Sequence, residues 1–255
     1  MRNLVFCLLF TLFTEISWCD KFSDTLAKAE SGDVNAQLLS ASRYASGREV
    51  PKNDSKALEW YLKAAKQGNA TGQLFAGLMY ADELGIHKDD VQACEWLTKA
   101  AEQGDAIAQQ WLAFQYANGR GVAKNEVKAC ELYAKAADQG NASAQCYLGL
   151  MYADGRGVPK DESKAFELCA KAAEQGSNKA KYFLGTMYQK GQGVAVDYIQ
   201  AYAWVSIAGD KPVVKDALEI LTKAMTAEDI SKAKGLANEI SKRIERDLPL
   251  RYMKK

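Results

Sequence analysis

The segment from Ala142 to Gly176 reads ASAQCYLGLMYADGRGVPKDESKAFELCAKAAEQG, and its pattern recurs along most of the 255-residue chain. A tyrosine and the final glycine of this segment belong to two sets of residues that repeat at intervals of 36 positions. These sets are Tyr44, Tyr80, Tyr116, Tyr152 and Tyr188, and Gly32, Gly68, Gly104, Gly140 and Gly176. A fixed period between about 20 and 50 residues predicts a solenoid, in which each repeat packs on its neighbours.

Each repeat is predicted to be a pair of antiparallel helices, helix A followed by helix B. Helix B spans about Asp161 to Gln175, where small and apolar residues recur at helical spacing on one face. An Asn or Asp precedes helix B in every repeat and is suited to cap its first free N–H groups. These residues are Asn53, Asp89, Asn125, Asp161 and Asp197. Helix A spans about Ala144 to Ala153, and the repeated glycine ends helix B in a tight turn.

The composition argues against two classes of protein. The formal net charge is +1, which provides no overall positive field for a nucleic acid. The sequence has one histidine, so a metal site built from several histidines is excluded. We therefore expect no nucleic-acid partner, no metal and no cofactor.

The first 19 residues are predicted to be a signal peptide. A basic start at Arg2 precedes an apolar run from Leu4 to Phe13, which is too short to span a bilayer. Ser17 and Cys19 are small enough for a signal-peptidase site, so cleavage is expected after Cys19. The alternative is a lipoprotein signal with Cys19 as the lipidated residue, although Trp18 stands where such signals have Gly or Ala. No later segment is apolar for long enough to cross a membrane, and we expect an exported protein in the periplasm or the extracellular space.

Export would place four cysteines in an oxidising compartment, namely Cys94, Cys130, Cys146 and Cys169. Four cysteines permit two disulfides with three possible connectivities. The alternative interpretation is that they serve as small hydrophobic residues in helical cores.

The repeated residues closely resemble the Sel-1-like repeat, a relative of the tetratricopeptide hairpin. The resemblance is carried by Ala142 to Tyr152, the loop Asp154 to Asp161, and Lys164 to Gly176, and it covers about Asn35 to Gly209. The second repeat departs from the pattern, with Glu83 in place of the first loop glycine and His87 in place of the loop proline. The resemblance implies an all-α, right-handed solenoid with a concave binding surface and an adaptor role in protein complexes.

We expect five repeats between two capping regions. An N-terminal capping helix spans residues 20–34, and the repeats span 35–70, 71–106, 107–142, 143–178 and 179–209. The 36-residue phase is lost after Gly209. Helix candidates at Val213 to Met225 and Thr226 to Arg246 place C-terminal capping helices in residues 210–246, followed by a basic tail at 247–255.

The candidate binding residues form a column of large apolar side chains on successive A helices. The column consists of Leu39, Phe75, Trp111, Tyr147 and Phe183, flanked by Asp82, Asn118 and Asp154. At 100° per residue these positions lie to one side of the predicted core, so they are suited to line a groove that binds a protein or peptide. The alternative is that these rings pack between adjacent A helices as part of the core.

Relatives rich in cysteine bridge the two helices of a repeat, though at positions different from those found here. Cys146 lies 11 residues before Gly157, near the centre of its loop, and Cys169 lies 12 residues after it. These two cysteines are expected to be level on facing helices and bonded. Cys94 and Cys130 occupy the same position in successive B helices, where the helix spacing of about 8 to 10 Å does not favour a bond.

Catalysis is the competing function. Some cysteine-rich relatives resemble penicillin-binding or β-lactamase-like proteins, which would make the chain a cell-wall or β-lactam-binding hydrolase. Such an enzyme needs Ser-x-x-Lys together with Ser-Asp-Asn and Lys-Thr-Gly. Ser231 and Lys234 provide the first motif within a predicted helix, and neither partner motif is present. We therefore expect a monomeric, non-catalytic scaffold.

Overall fold

The computed structural model describes residues 22–81 and 87–253, and every regular element in these ranges is helical. Residues 22–30 belong to α1. The remaining helices are α2 (Val34–Ser46), α3 (Asp54–Lys66), α4 (Ala70–Ala81), α5 (Asp90–Glu102), α6 (Ala106–Asn118), α7 (Glu126–Asp138), α8 (Ala142–Asp154), α9 (Glu162–Glu174), α10 (Asn178–Lys190), α11 (Tyr198–Ser206), α12 (Pro212–Ala224) and α13 (Ala227–Met253). The even-numbered helices α2 to α10 are the A helices, and α3 to α11 are the B helices. The all-helical repeat architecture is thus confirmed.

The chain divides into two compact units, Met1–Lys124 and Asn125–Lys255. In the first unit, each helix from α2 to α5 packs against the next. In the second unit, α8 packs against α7 and α9, α10 packs against α9 and α11, and α11 packs against α12 and α13. Each unit is therefore a stack of helix hairpins. None of the helices in the described ranges is both long and apolar enough to cross a membrane.

Short polar side chains start the helices as predicted. The side chain preceding each B helix accepts a hydrogen bond from a backbone N–H of the first turn, as Asn53 Oδ1 does from Lys56 at 2.9 Å. Thr226 caps α13 in the same way, through a 3.1 Å bond from the Asp229 N–H. The helix itself continues to Met253, beyond the predicted end at Arg246. Local capping thus sets where these helices begin.

A second loop glycine permits backbones of successive repeats to touch. Gly121, Gly157 and Gly193 have φ between 67° and 71°. A Cβ atom at Gly121 would overlap the Asp90 carbonyl oxygen at the start of the preceding B helix, and Gly157 and Gly193 face Glu126 and Glu162 in the same way. The loop of one repeat therefore lies directly on the first turn of the helix B before it.

Glu49 shows that steric contact, more than backbone angle, calls for glycine at this position. It is the first-repeat equivalent of Gly121 and has a φ of 66°, which a non-glycine residue seldom adopts. Its carboxylate forms a salt bridge with Arg43 Nε at 3.0 Å. A side chain is therefore accommodated at the same φ in the first repeat.

Buried glutamines connect the B helices of successive repeats, and we call these contacts the glutamine bridges. Gln73 in α4 donates to the Ala65 carbonyl oxygen near the end of α3 at 3.3 Å. Its own side-chain oxygen accepts from Gln103 Nε2, at the end of α5, at 2.7 Å. Gln103 also donates to the Gly68 carbonyl oxygen at 3.0 Å. One amide thus joins two B helices through the A helix between them.

The bridge recurs in both units. Gln37 donates to the Ala29 carbonyl oxygen at 3.1 Å and accepts from Gln67 at 2.9 Å. Gln145 donates to the Ala137 carbonyl oxygen at 3.2 Å and accepts from Gln175 at 2.7 Å. These residues were not predicted from the sequence, although Gln37, Gln73, Gln109 and Gln145 follow the 36-residue period.

The fifth repeat carries Lys181 where the other repeats have the bridging glutamine. Burial lowers the pKa of Lys181, and the nearby Glu245 carboxylate of α13 opposes that shift. Helix α13 also places Ile240 and Ile244, both 3% exposed, against the last hairpin, and Arg243 forms an ion pair with Glu174 of α9. The predicted closing helix therefore covers the end of the repeats with its own apolar and charged contacts.

We predict that Gly121→Ala destabilises the protein more than Gly104→Ala does. Both glycines have positive φ, but nothing lies within 4 Å of a Cβ atom at Gly104, whereas Gly121 faces the backbone of Asp90. The free energy of unfolding from urea titration should fall by about 1–3 kcal/mol more for Gly121→Ala, which is the range for overpacking. Equal losses for the two variants would show that backbone angle alone sets the requirement.

We predict that Gln73→Leu lowers the free energy of unfolding by about 1–3 kcal/mol, because two side-chain hydrogen bonds of about 0.5–1.5 kcal/mol each are lost, one to the Ala65 carbonyl oxygen and one from Gln103. The matched control is Gln92→Leu in the same unit, whose side chain donates to Glu95 at the surface. The control should change stability by no more than about 0.5 kcal/mol. A Gln73→Leu variant as stable as the control would contradict a structural role for the bridge.

Candidate functional site

The predicted column of large side chains lies on the A helices, divided between the two units. Leu39, Phe75 and Trp111 belong to the first unit, and Tyr147 and Phe183 belong to the second. Leu39 is 45% exposed and Phe75 is 38% exposed, while the other three are partly buried. We call Phe75, Trp111, Tyr147 and Phe183 the A-helix rings. Each of them reaches the surface without being fully exposed.

The buried face of the A-helix rings packs on the preceding B helix. Phe75 is stacked on Tyr61 with ring centroids 5.0 Å apart and an interplanar angle of 19°. Tyr147 is stacked on Tyr133 at 5.4 Å and 14°. Cys169 occupies the equivalent position in the fourth repeat, and Phe183 packs against the core cluster that contains it. The rings therefore pack between helices and also reach solvent, and their role in binding stays a prediction.

Trp111 has a different neighbour, because the residue equivalent to Tyr61 is Leu97. Its ring meets that of Phe114 edge to face, with centroids 6.1 Å apart at 75°. The Arg120 guanidinium lies 5.4 Å from the centroid of the Phe114 ring. These contacts hold Trp111 within a small aromatic and cationic cluster of the first unit.

Of the three polar residues predicted to flank the column, Asn118 and Asp154 lie within the described residues. Asp82 lies outside the described residues. The Asn118 amide donates to the Phe114 carbonyl oxygen at 2.7 Å, and an Asp154 carboxylate oxygen lies 3.4 Å from Arg156 Nε. Both side chains are exposed, and each is held by a contact within its own helix end or loop. These contacts orient Asn118 and Asp154.

The four cysteines of the described residues are buried free thiols. The Sγ atoms of Cys94 and Cys130 lie 3.2 Å from the carbonyl oxygens of Arg120 and Arg156, where each thiol donates. Burial raises the pKa of Cys94 and Cys146 to about 11 and that of Cys169 to about 12. These thiols are protonated at neutral pH, so they are poor nucleophiles.

Cys146 and Cys169 are neighbours within the fourth repeat. Helices α8 and α9, which carry them, pack against each other. The charge of a Cys146 thiolate contributes to the raised pKa of Cys169, as expected for two sulfurs close together. A Cβ atom added at Gly149 of α8 would lie 2.9 Å from Cys169 Sγ. The structure has both as thiols, and their pairing stays a prediction.

The residues considered for catalysis are exposed. Ser231 and Lys234 lie on the surface of α13, and His87 is exposed in its loop. Among the residues that the structure describes, no group of three or more His, Cys, Asp or Glu side chains is arranged to hold a metal ion.

Comparison with known proteins identifies the repeat. Five consecutive segments, 34–69, 70–105, 106–141, 142–177 and 178–212, match the model of the Sel1 repeat. No curated protein matches the chain by sequence.

Two solved structures resemble the chain closely. A protective antigen present in uropathogenic Escherichia coli strains, which displays an SLR fold, has 36% identity and a TM-score of 0.82. The match covers 90% of this chain and 50% of that protein, so the chain spans half the length of this relative. A Sel1 repeat protein from Oxalobacter formigenes has 33% identity and a TM-score of 0.68, over 80% of this chain and 88% of its own.

Proposed function

The chain belongs to the Sel1 repeat family, and we propose that it is an exported, non-catalytic scaffold that binds another protein through the A-helix rings. Members of this family are typically scaffolds for protein interaction. The observation that carries the proposal is the repeated placement of a large, partly exposed ring on one A helix after another. Phe75 and Trp111 provide this surface in the first unit, and Tyr147 and Phe183 provide it in the second.

The packing of the rings favours binding because their conformations are already restricted. Phe75 and Tyr147 are each stacked on a tyrosine of the preceding B helix, with centroids 5.0 and 5.4 Å apart. A side chain held in place before binding loses little conformational entropy when a partner covers it. Aromatic side chains also supply much of the energy at protein interfaces. The A-helix rings therefore combine apolar contact area with low ordering cost.

A non-catalytic role is supported by the environment of the reactive groups. The buried thiols have raised pKa values, and Cys94 and Cys130 each donate to a backbone carbonyl oxygen. Ser231 and Lys234 lie on the exposed side of a capping helix. In both cases packing or helical spacing accounts for the residues without an enzymatic role.

Export is supported by the order of basic, apolar and small residues in positions 1–19. The similar E. coli protein is a protective antigen, which favours a location accessible to a host. In such a compartment the neighbouring thiols of Cys146 and Cys169 would be able to form a disulfide. Cys94 and Cys130 lie in separate units and each donates to a loop carbonyl oxygen of its own unit. We therefore propose one disulfide, between Cys146 and Cys169.

We predict that Trp111→Ala/Tyr147→Ala loses a protein that the unchanged chain captures from extracts of the cells that produce it. Removing two interface rings should weaken binding roughly tenfold or more, because central aromatic residues often contribute about 2 kcal/mol. Quantitative mass spectrometry of the captured proteins, followed by titration of the purified partner, measures the loss. Circular dichroism checks that the variant keeps its helices.

The matched control is Val91→Ala/Val127→Ala. These valines are 54% and 56% exposed, are also 36 residues apart, and lie on B helices. The control should retain the partner at unchanged strength. If the ring variant retains it equally well, the A-helix rings are not the binding surface.

We predict that the full chain expressed in Escherichia coli is recovered from the periplasm with Asp20 at its N-terminus. Mass spectrometry without reduction should find Cys146 joined to Cys169, and should find Cys94 and Cys130 alkylated after unfolding. A chain that begins with Met followed by Asp20 and stays in the cytoplasm should have four alkylated cysteines, since that compartment is reducing.

The two parts of this prediction are contradicted by different results. An uncleaved chain confined to the cytoplasm would contradict export. Free thiols at both Cys146 and Cys169 in the exported protein would contradict the disulfide.

A further inference from the structure

A cavity of about 390 Å³ lies in the second unit beside the last A helix. Three aromatic residues line it, Tyr147 of α8 and Tyr182 and Phe183 of α10, and Val213 and Val214 close it from the start of α12. Its volume falls within the range of about 300–1,000 Å³ that is usual for ligand sites. The cavity is therefore large enough to receive apolar side chains from another molecule.

The walls of the cavity are held in place by packing behind them. Tyr147 is stacked on Tyr133, and the rings of Tyr182 and Phe183 meet edge to face with centroids 5.6 Å apart at 70°. Val214 is 3% exposed and belongs to the core, whereas Val213 is 46% exposed. The pocket is thus preformed, and an apolar group that enters it displaces water without having to order the walls.

The charged groups at the cavity are both cations. Lys179 of α10 and Lys211, which precedes α12, are exposed lining residues, and none of the lining residues is acidic. The Lys179 ammonium lies 3.8 Å from the centroid of the Tyr147 ring. Within the described part of the chain, neither ammonium forms an ion pair with a carboxylate. The cavity therefore offers an apolar interior with a positive rim.

The cavity lies beside the proposed binding surface, because Tyr147 and Phe183 belong to both. A segment that covers these two rings also covers the cavity and its lysines. We infer that the cavity binds an internal segment of the protein partner in which an Asp or Glu lies next to a Phe, Leu or similar residue. The apolar side chain enters between Tyr147, Tyr182 and Phe183, and the carboxylate lies at the lysine rim. This inference rests on the proposed scaffold function and specifies the partner's chemistry.

The expected contribution of the lysines is moderate because both are exposed. Charges at the rim of an interface act mainly on association rate and salt dependence. Raising ionic strength from about 0.01 to 0.15 M shortens the Debye length from about 30 to 8 Å, so added salt should weaken binding. The apolar side chain provides affinity, and the lysines provide preference for an acidic neighbour.

The test begins with selection from a random dodecapeptide library displayed by phage, with the peptides at the N-terminus of the coat protein. The unchanged protein should enrich peptides with an acidic residue beside an aromatic or aliphatic one. The strongest sequence is then synthesised with a fluorescent label, acetylated and amidated ends, and a matched version in which Gln replaces Glu or Asn replaces Asp. Fluorescence anisotropy measures the affinity of both peptides at low and physiological salt.

Lys179→Gln/Lys211→Gln should bind the acidic peptide roughly tenfold more weakly and with less dependence on salt. It should bind the amide-substituted peptide with the same affinity as the unchanged protein. The lysines act on the peptide's carboxylate, and this peptide lacks that carboxylate. The matched control is Lys190→Gln/Lys215→Gln, which removes two exposed lysines from α10 and α12 outside the cavity. The control should keep the preference for the acidic peptide.

Three results would overturn the inference. These are enrichment of peptides without acidic residues, unchanged binding by Lys179→Gln/Lys211→Gln, and no binding by the selected peptide once its ends are acetylated and amidated. If the enriched peptides bind Trp111→Ala/Tyr147→Ala more weakly than they bind the unchanged protein, the scaffold function stands and only the acidic preference fails. A library from which no peptide is enriched would overturn the inference alone, because the capture experiment with Trp111→Ala/Tyr147→Ala tests the scaffold function separately.

Discussion

The glutamine bridges impose the register on which the repeat stack depends. Gln73 donates to the Ala65 carbonyl oxygen of one B helix while accepting from Gln103 at the end of the next. Both contacts are made by one buried amide, so sliding either helix leaves a polar group without a partner, at about 1–3 kcal/mol. Apolar packing alone would tolerate small shifts between these alanine-rich helices. The hydrogen bonds convert that packing into one defined arrangement.

The same register explains why a ring on helix A meets a particular residue on helix B. With the hairpins fixed against each other, Phe75 lies over Tyr61 and Tyr147 over Tyr133. Gly77 in turn faces Leu97, where an added Cβ atom would lie 2.7 Å from the leucine Cγ. The same B-helix position thus faces a glycine of its own hairpin at Leu97 and Cys169, and a ring of the next hairpin at Tyr61 and Tyr133. The partly exposed rings are a consequence of stacking as well as the proposed surface for binding.

Much of the fold could be predicted from the sequence because the deciding interactions are local. Asn53 caps its helix through a residue three positions away, and Gly104 adopts positive φ at a helix end. The bridge from Gln103 to Gln73 spans 30 residues and needs the packed stack to exist. Glutamine is also common on helix surfaces, so its 36-residue repetition did not by itself reveal a buried role. The stacking partners of the rings could not be predicted either, because those contacts also need the packed stack to exist.

The lysine-rimmed cavity could not be predicted from the repeat, because it forms where the repeat changes. Lys179 and Tyr182 replace Ser143 and Cys146 of the preceding repeat, and Pro212 starts a helix that lacks a counterpart in the earlier repeats. A residue inside a solenoid must fit the same neighbours as its equivalents, whereas the last repeat faces a different element. Lys181, in the position of the bridging glutamine, illustrates this with its neighbour Glu245 on α13. The end of the stack is therefore where a repeat protein can acquire a pocket of its own without disturbing the bridges that hold the other repeats together.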